Sequence, residues 1–332
     1  MRGWSSEQLA GAAGARLIRS GAGAGPEHVV IDSRQAGAGA LFVGLPGRSA
    51  DGGAFAAAAL ESGAWGVLVG EAHARADLPG DAAVLAAADP LAALHRLAAT
   101  WRRELGAQVI GVTGSTGKTT TKDLLLAVLA PHRRAVASRA NYNTEIGLPV
   151  EILSAPAGTE VLVLEMAMRG AGQIAELTSI AQPDVGVIVS IGPVHLELLG
   201  TIEAIAAAKA ELLAGLRPGA TAVVPAGEPR LEPHLRSDLR TVTFGEGGDV
   251  HVTASLQERL EIDVAGEPIV LEVCFEQAHL RSNLLAAVAA AHAVGVLPSG
   301  RVELALTPGR GQRTTLAGGI ALIDDSYNAN PM

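Results

Sequence analysis

The sequence predicts an α/β protein: a small N-terminal α/β unit, then a larger and mostly parallel sheet organised by a P-loop-type glycine turn. Three observations predict it. An apolar strand, Val109-Ile110-Gly111-Val112, runs through Thr113-Gly114-Ser115-Thr116-Gly117-Lys118-Thr119-Thr120 into a helix carrying Leu124, Leu125, Leu126, Val128 and Leu129. Apolar runs at 161–164, 185–191 and 222–224 then alternate with helical segments at 173–179 and 202–213, the signature of a sheet covered on both faces. A separate set of short strands and one helix precedes residue 88.

In chain order, Val29-Val30-Ile31 and Ala40-Leu41-Phe42-Val43 read as strands, Ala54 to Ser62 as a helix, and Trp65-Gly66-Val67-Leu68-Val69 as a further strand. Asp89 is a good N-cap and Pro90 a good first helical residue. Leu91, Leu94, Leu97 and Trp101 follow at helical spacing, so residue 88 is expected to open the second domain. The glycine-turn helix ends at Pro131, which cannot continue it. Residues 250–275 hold shorter alternating strands such as Ile269-Val270-Leu271-Glu272-Val273, and a long helix spans Asn283 to Val294. The expected domains are 1–87, 88–318, and a final stretch, 319–332, with the strand-like Leu322-Ile323-Asp324-Asp325.

Gly114 and Gly117 let the turn fold back so that backbone N–H groups converge where the next helix begins, with its positive dipole end. Ser115, Thr116 and Thr120 line the same turn, Lys118 adds a full charge, and the Thr119 hydroxyl can reach a phosphate-bound Mg²⁺. Each contribution is modest, roughly 0.3–1 kcal/mol for an exposed anion at a helix end. Together they make a polyphosphate cradle. Val112 stands where the general P-loop has its first glycine.

The net charge of −9, the lack of a basic run and 3% aromatics exclude a nucleic-acid footprint. The longest apolar run, Leu284 to Leu297, is broken by His292 and too short to cross a bilayer, so no membrane insertion is expected. A single cysteine, Cys274, excludes an intrachain disulfide, and no basic-then-apolar leader opens the chain; a cytoplasmic protein is expected.

Glu165 ends the strand after the cradle helix, where a carboxylate can face a nucleotide-bound metal. His195 ends the next strand. Lys209 is, on pattern alone, a helix lysine, since an ammonium would be repelled by Mg²⁺. The cradle, Asn141-Tyr142-Asn143-Thr144-Glu145-Ile146-Gly147-Leu148-Pro149, Glu165-Met166-Ala167-Met168-Arg169-Gly170, His195-Leu196-Glu197, Ala208-Lys209-Ala210-Glu211 and Asp324-Asp325-Ser326-Tyr327-Asn328-Ala329-Asn330-Pro331 together resemble the Mur ligases of peptidoglycan synthesis. The Glu165–Gly170 and Asp324–Pro331 segments point, within that family, to the member acting on D-alanyl-D-alanine, and away from folylpolyglutamate synthase, which shares the cradle.

The resemblance implies an ATP-dependent ligase that joins D-alanyl-D-alanine to the peptide carboxylate of UDP-N-acetylmuramoyl-tripeptide through an acyl phosphate. It implies two Mg²⁺ sites, one held by Thr119 and Glu165 and one by His195 and a carbamylated Lys209, whose carbamate is an anionic oxygen ligand. Asn283 matches an adenine contact, and Arg310 and Asp325 match groups that close on ATP. Asn141, Asn143, Thr144 and Arg169 match the path of the muramyl peptide, and Ser33, Arg34, Gly47 and Asp51 its UDP end. Leu280, Ala140 and Gly53 stand where the family carries asparagine, glycine and histidine. The same resemblance makes 1–87 the UDP-substrate domain, 88–318 the ATPase domain and 319–332 only the start of a third α/β domain, so this stretch of chain is expected to lack the amine site. A monomer is expected. The alternatives are a sibling ligase adding the third peptide residue, or a nucleotide-binding module without ligation.

Overall fold

A computed structural model describes residues 1, 3–139, 141–194, 196–304 and 312–324. They form two compact units, Met1–Ala107 with Glu145–Thr159, and Gln108–Thr144 with Glu160–Met332.

The first unit contains α1 (Ser6–Ala13), β1 (Arg16–Arg19), β2 (His28–Val30), β3 (Ala40–Val43), α2 (Ala56–Glu61), β4 (Gly66–Gly70), β5 (Ala83–Ala87) and α3 (Pro90–Leu105). Its sheet has the order β1-β5-β4-β3-β2, with β2 to β5 parallel and β1 antiparallel at one edge. All of β3 and β5 is buried, and Phe42, Val67, Val69 and Val84 pack with Ala56, Ala59 and Leu60 of α2. Ser5 and Gln8 close a reciprocal capping box at the start of α1. Asp89 caps α3 through the N–H groups of Leu91 and Ala92, as its position before Pro90 predicts.

The second unit holds β6 (Gln108–Thr113), α4 (Lys118–Leu129) and β7 (Ala135–Ala137). The chain then returns to the first unit for α5 (Gly147–Ser154) before β8 (Val161–Glu165), α6 (Gln173–Ala181), β9 (Val185–Ile188), α7 (Leu196–Leu199), α8 (Ile202–Ala214) and β10 (Thr221–Pro225). It ends with β11 (Arg240–Phe244), β12 (Val250–Leu256), β13 (Arg259–Val264), β14 (Glu267–Val273), α9 (Ala278–Ala293), β15 (Gly300–Val302), β16 (Gln312–Thr315) and β17 (Ala321–Asp324). The main sheet is ordered β15-β14-β13-β12-β11-β10-β9-β6-β8-β7; only β13 runs against the rest. β16 and β17 form a separate antiparallel hairpin.

Ala286, Ala287, Ala289, Ala290 and Ala291 of α9 are fully buried against the sheet and α4. Small side chains let that helix lie close to its neighbours. The boundary expected at residue 88 is displaced. Helix α3 packs on α1, β4 and β5, and α5 packs on α3 and β2, so both belong to the first unit. Amphipathic α3 was legible as a helix, but its partner was not: its apolar stripe says that it must be covered, not by what.

Candidate functional site

The glycine turn joins β6 to α4 at the carboxyl end of the central strands, where open α/β sheets place ligands. Gly117 is the N-cap of α4, at φ 81°, in the left-handed region that glycine enters without cost. It has a second reason to be glycine: a Cβ there would lie 2.5 Å from Oδ1 of Asn283 and 3.0 Å from Cγ1 of Val189. Asn283, buried on α9, therefore rests directly on the turn. The Lys118 ammonium folds back to donate to the carbonyl oxygens of Gly114 (2.8 Å) and Ser115 (3.4 Å).

The loop after β9 braces the turn from the side. The Ser115 N–H donates to the Ser190 carbonyl, Thr116 N–H to Ser190 Oγ, and Ser190 Oγ back to the Thr116 carbonyl. Ser115 Oγ both donates to the Gly192 carbonyl and accepts from its N–H. Ser190 escaped the sequence reading, although its position just past an apolar strand, at the sheet's ligand-binding end, was the available signal.

Thr119 and Glu165, 46 residues apart, meet as predicted: Thr119 Oγ1 donates to Glu165 Oε2 at 2.7 Å, and both residues are buried. Asn143 joins them, its amide donating to Glu165 Oε1 at 2.8 Å. The Glu165 N–H is held by Ser138 Oγ, and the Ser138 carbonyl accepts from the buried Lys122 ammonium, which also pairs with Asp123. A buried carboxylate beside a hydroxyl is a hard-oxygen pair of the kind Mg²⁺ takes as partial coordination, with phosphate and water completing the sphere. Ser138 and Lys122 support this pair and were also missed.

Lys209 is buried in α8, 2% exposed. Burial, and next the nearby Lys118 charge, push its pKa from 10.5 down to about 7. This is no solvated helix lysine. Glu211, one half-turn on, serves the fold, because its carboxylate accepts from the N–H groups of Gly172 and Ala175 and caps α6. Arg169 is exposed, and its backbone N–H donates to Gln173 Oε1. Asn141 adopts φ 69° and Thr144 is half-buried. His195, Arg310 and Asp325 lie outside the described residues. Among the described residues, no three His, Cys, Asp or Glu side chains converge to hold a metal, and no helix is long and apolar enough to cross a membrane.

The other predicted residues gather in the first unit, after β2 and β3. Asp32 caps the short turn Ser33–Gln35 and grips Arg34, with Nε 2.9 Å from Oδ1 and Nη2 2.6 Å from Oδ2. That contact holds the Asp32 carboxyl down to about 2 and leaves Arg34 exposed. Gly47 N–H donates to the Ala50 carbonyl, closing the loop that leads to Asp51. Asp51 accepts from Gly53 N–H at 2.9 Å and faces His73 Nε2 at 3.0 Å.

Comparison with known proteins finds two family models on this chain: the Mur ligase family catalytic domain over residues 27–102 and the Mur ligase middle domain over residues 112–291. The UDP-N-acetylmuramoyl-tripeptide–D-alanyl-D-alanine ligase of Synechocystis sp. is 39% identical over 91% of the chain and 66% of its own length. Among solved structures, MurF from Acinetobacter baumannii matches with a TM-score of 0.86 and 29% identity, over 99% of this chain and 74% of that one. MurF ligase from Thermotoga maritima in complex with ADP matches with a TM-score of 0.77 and 31% identity, over 92% and 72%. The chain spans about two thirds of the length of the curated relatives it matches.

Proposed function

This chain belongs to the Mur ligase family, and on that premise we propose that it serves an ATP-dependent ligase joining D-alanyl-D-alanine to UDP-N-acetylmuramoyl-tripeptide. The observation that carries the reading is the buried Thr119–Glu165 pair beside the Gly114–Lys118 cradle, in a chain whose full-length relatives bear that activity's name.

On this reading the terminal carboxylate of the tripeptide attacks the ATP γ-phosphate, giving an acyl phosphate and ADP. The amine of D-alanyl-D-alanine then displaces phosphate, losing a proton as the amide forms. No protein nucleophile is needed. The work of the protein is to align anions that repel one another. The N–H groups at the start of α4 face the phosphates. Lys118 exchanges its two loop carbonyls for phosphate oxygens, and Ser190 and Asn283 hold the turn in shape. Thr119 and Glu165 would hold one Mg²⁺, and His195 with a carbamylated Lys209 a second; these ions supply charge neutralisation when bound. The lowered pKa of Lys209 favours the uncharged amine that a carbamate requires. Asn283, Arg310 and Asp325 would contact the nucleotide. Asn141, Asn143, Thr144 and Arg169 would line the peptide's path, and Ser33, Arg34, Gly47 and Asp51 would hold the UDP end. A monomer in the cytoplasm fits these substrates, and the exposed free thiol of Cys274 suits a reducing compartment.

The test is amine-dependent ADP release by the full-length protein. D-Alanyl-D-alanine should support it where meso-diaminopimelate or lysine does not; the reverse pattern would assign the chain to a sibling ligase. ATP binding without amine-dependent turnover, unchanged by Glu165→Ala, His195→Ala or Lys209→Ala, would leave a nucleotide-binding module in its place.

A further inference from the structure

We propose that His73 is a further recognition residue for the uridine part of the substrate, a reading that rests on the assignment of UDP binding to the first unit. His73 lies on the turn after β4, its N–H donating to the Gly70 carbonyl. Its ring sits on Gly53: a Cβ at that position would lie 2.5 Å from the ring's Cδ2 and 2.9 Å from its Cγ. The imidazole thus fills the volume that any other side chain at 53 would claim. Asp51 fixes the ring, with Oδ2 3.0 Å from Nε2, while its Oδ1 takes the Gly53 N–H. Both side chains still reach solvent, 28% exposed for His73 and 50% for Asp51.

With Ser33 and Arg34 after β2 and Asp51 in the segment after β3, the turns following three adjacent parallel strands each present polar groups at the carboxyl end of the sheet. Ligands bind there in open parallel sheets. The chemistry also divides. A carboxylate can only accept, so the proton facing Asp51 is on Nε2, and in that tautomer Nδ1 is left as an acceptor. Uridine carries matching donors in its imide N–H and ribose hydroxyls, whereas phosphate oxygens are acceptors. Arg34, held by Asp32, is the complementary donor for the diphosphate.

Calorimetric titration of UDP into the full chain tests this. His73→Ala should weaken binding about tenfold, the loss of one hydrogen bond of about 1.4 kcal/mol. Gly53→Ala should do the same by displacing the ring, and the double variant should bind no worse than either alone, because the ring it displaces is already gone. Circular dichroism of each variant guards against unfolding. Binding by His73→Ala within about twofold of wild type, or a multiplied loss near a hundredfold in the double variant, would overturn the proposal. A wild-type chain that does not bind UDP would remove the underlying assignment itself, and the proposal with it.

Discussion

Lys118 and Lys209 differ in what their surroundings do to the same ammonium group. Lys118 donates to loop carbonyls; on the proposed function it exchanges them for phosphate and contributes charge. Lys118→Ala should lower kcat/KM by at least about a hundredfold, roughly 2.7 kcal/mol of transition-state stabilisation, in steady-state assays of the full-length protein. Its melting temperature should barely change. Lys209 is buried and its pKa lies near 7 instead of 10.5. Between those values the unfolded chain binds more protons than the folded one, so this residue makes stability rise with pH across that window. In CO₂-free buffer the stability deficit of wild type against Lys209→Met should therefore shrink from pH 7 towards pH 10, read by urea unfolding at each pH. A constant difference would mean that the amine titrates alike in both states. Lys209→Arg should be inactive, because a guanidinium stays charged and forms no carbamate.

At the scale of elements, the strands and helices around the cradle were legible because period and punctuation agreed. Val109–Val112, Gly114 and Gly117, and the leucines up to Pro131 each fix one boundary, and β6, the turn and α4 fall there. Elements that break their pattern were lost. β1, Arg-Leu-Ile-Arg, is a half-buried edge strand without alternation, and α1 hid in a small-residue run although Ser5 and Gln8 spell its capping box. Within the candidate site, Thr119 and Glu165 were legible as neighbours because each ends or begins an element at the sheet's carboxyl edge. Ser138 and Lys122 act through hydrogen bonds between segments far apart in sequence, which no local pattern encodes; for Ser190 the one signal was its position just past an apolar strand. One side chain, Glu211, reaches between two packed helices, capping α6 from α8. Glu211→Ala should cost about 1 kcal/mol, as the loss of an N-cap does, and shift the urea midpoint without altering ATP affinity. A variant of unchanged stability would show that water replaces the carboxylate at no loss.

On the scale of the whole molecule, the two units should respond to different ligands. A non-hydrolysable ATP analogue should slow amide hydrogen exchange at residues 113–120 and 190–192, while UDP should slow it at 32–35 and 51–53. Protection of both sets by either ligand alone would show that the units act as one cooperative block.

The return of the chain to the first unit at Glu145–Thr159 bears on inheritance as well as on folding. Leu148, Val150, Ile152 and Leu153 of α5 are buried there, against elements encoded well upstream. A crossover anywhere between codons 108 and 144 would splice one parent's α5 seat to another parent's α5, and a gene cut at 107 would leave that seat bare. Neither unit is a contiguous reading frame. Exchange between related genes keeps both units whole only when the stretch for 1–107 and the short stretch for 145–159 travel together, so natural chimaeras in this family should carry matched parentage at those two places.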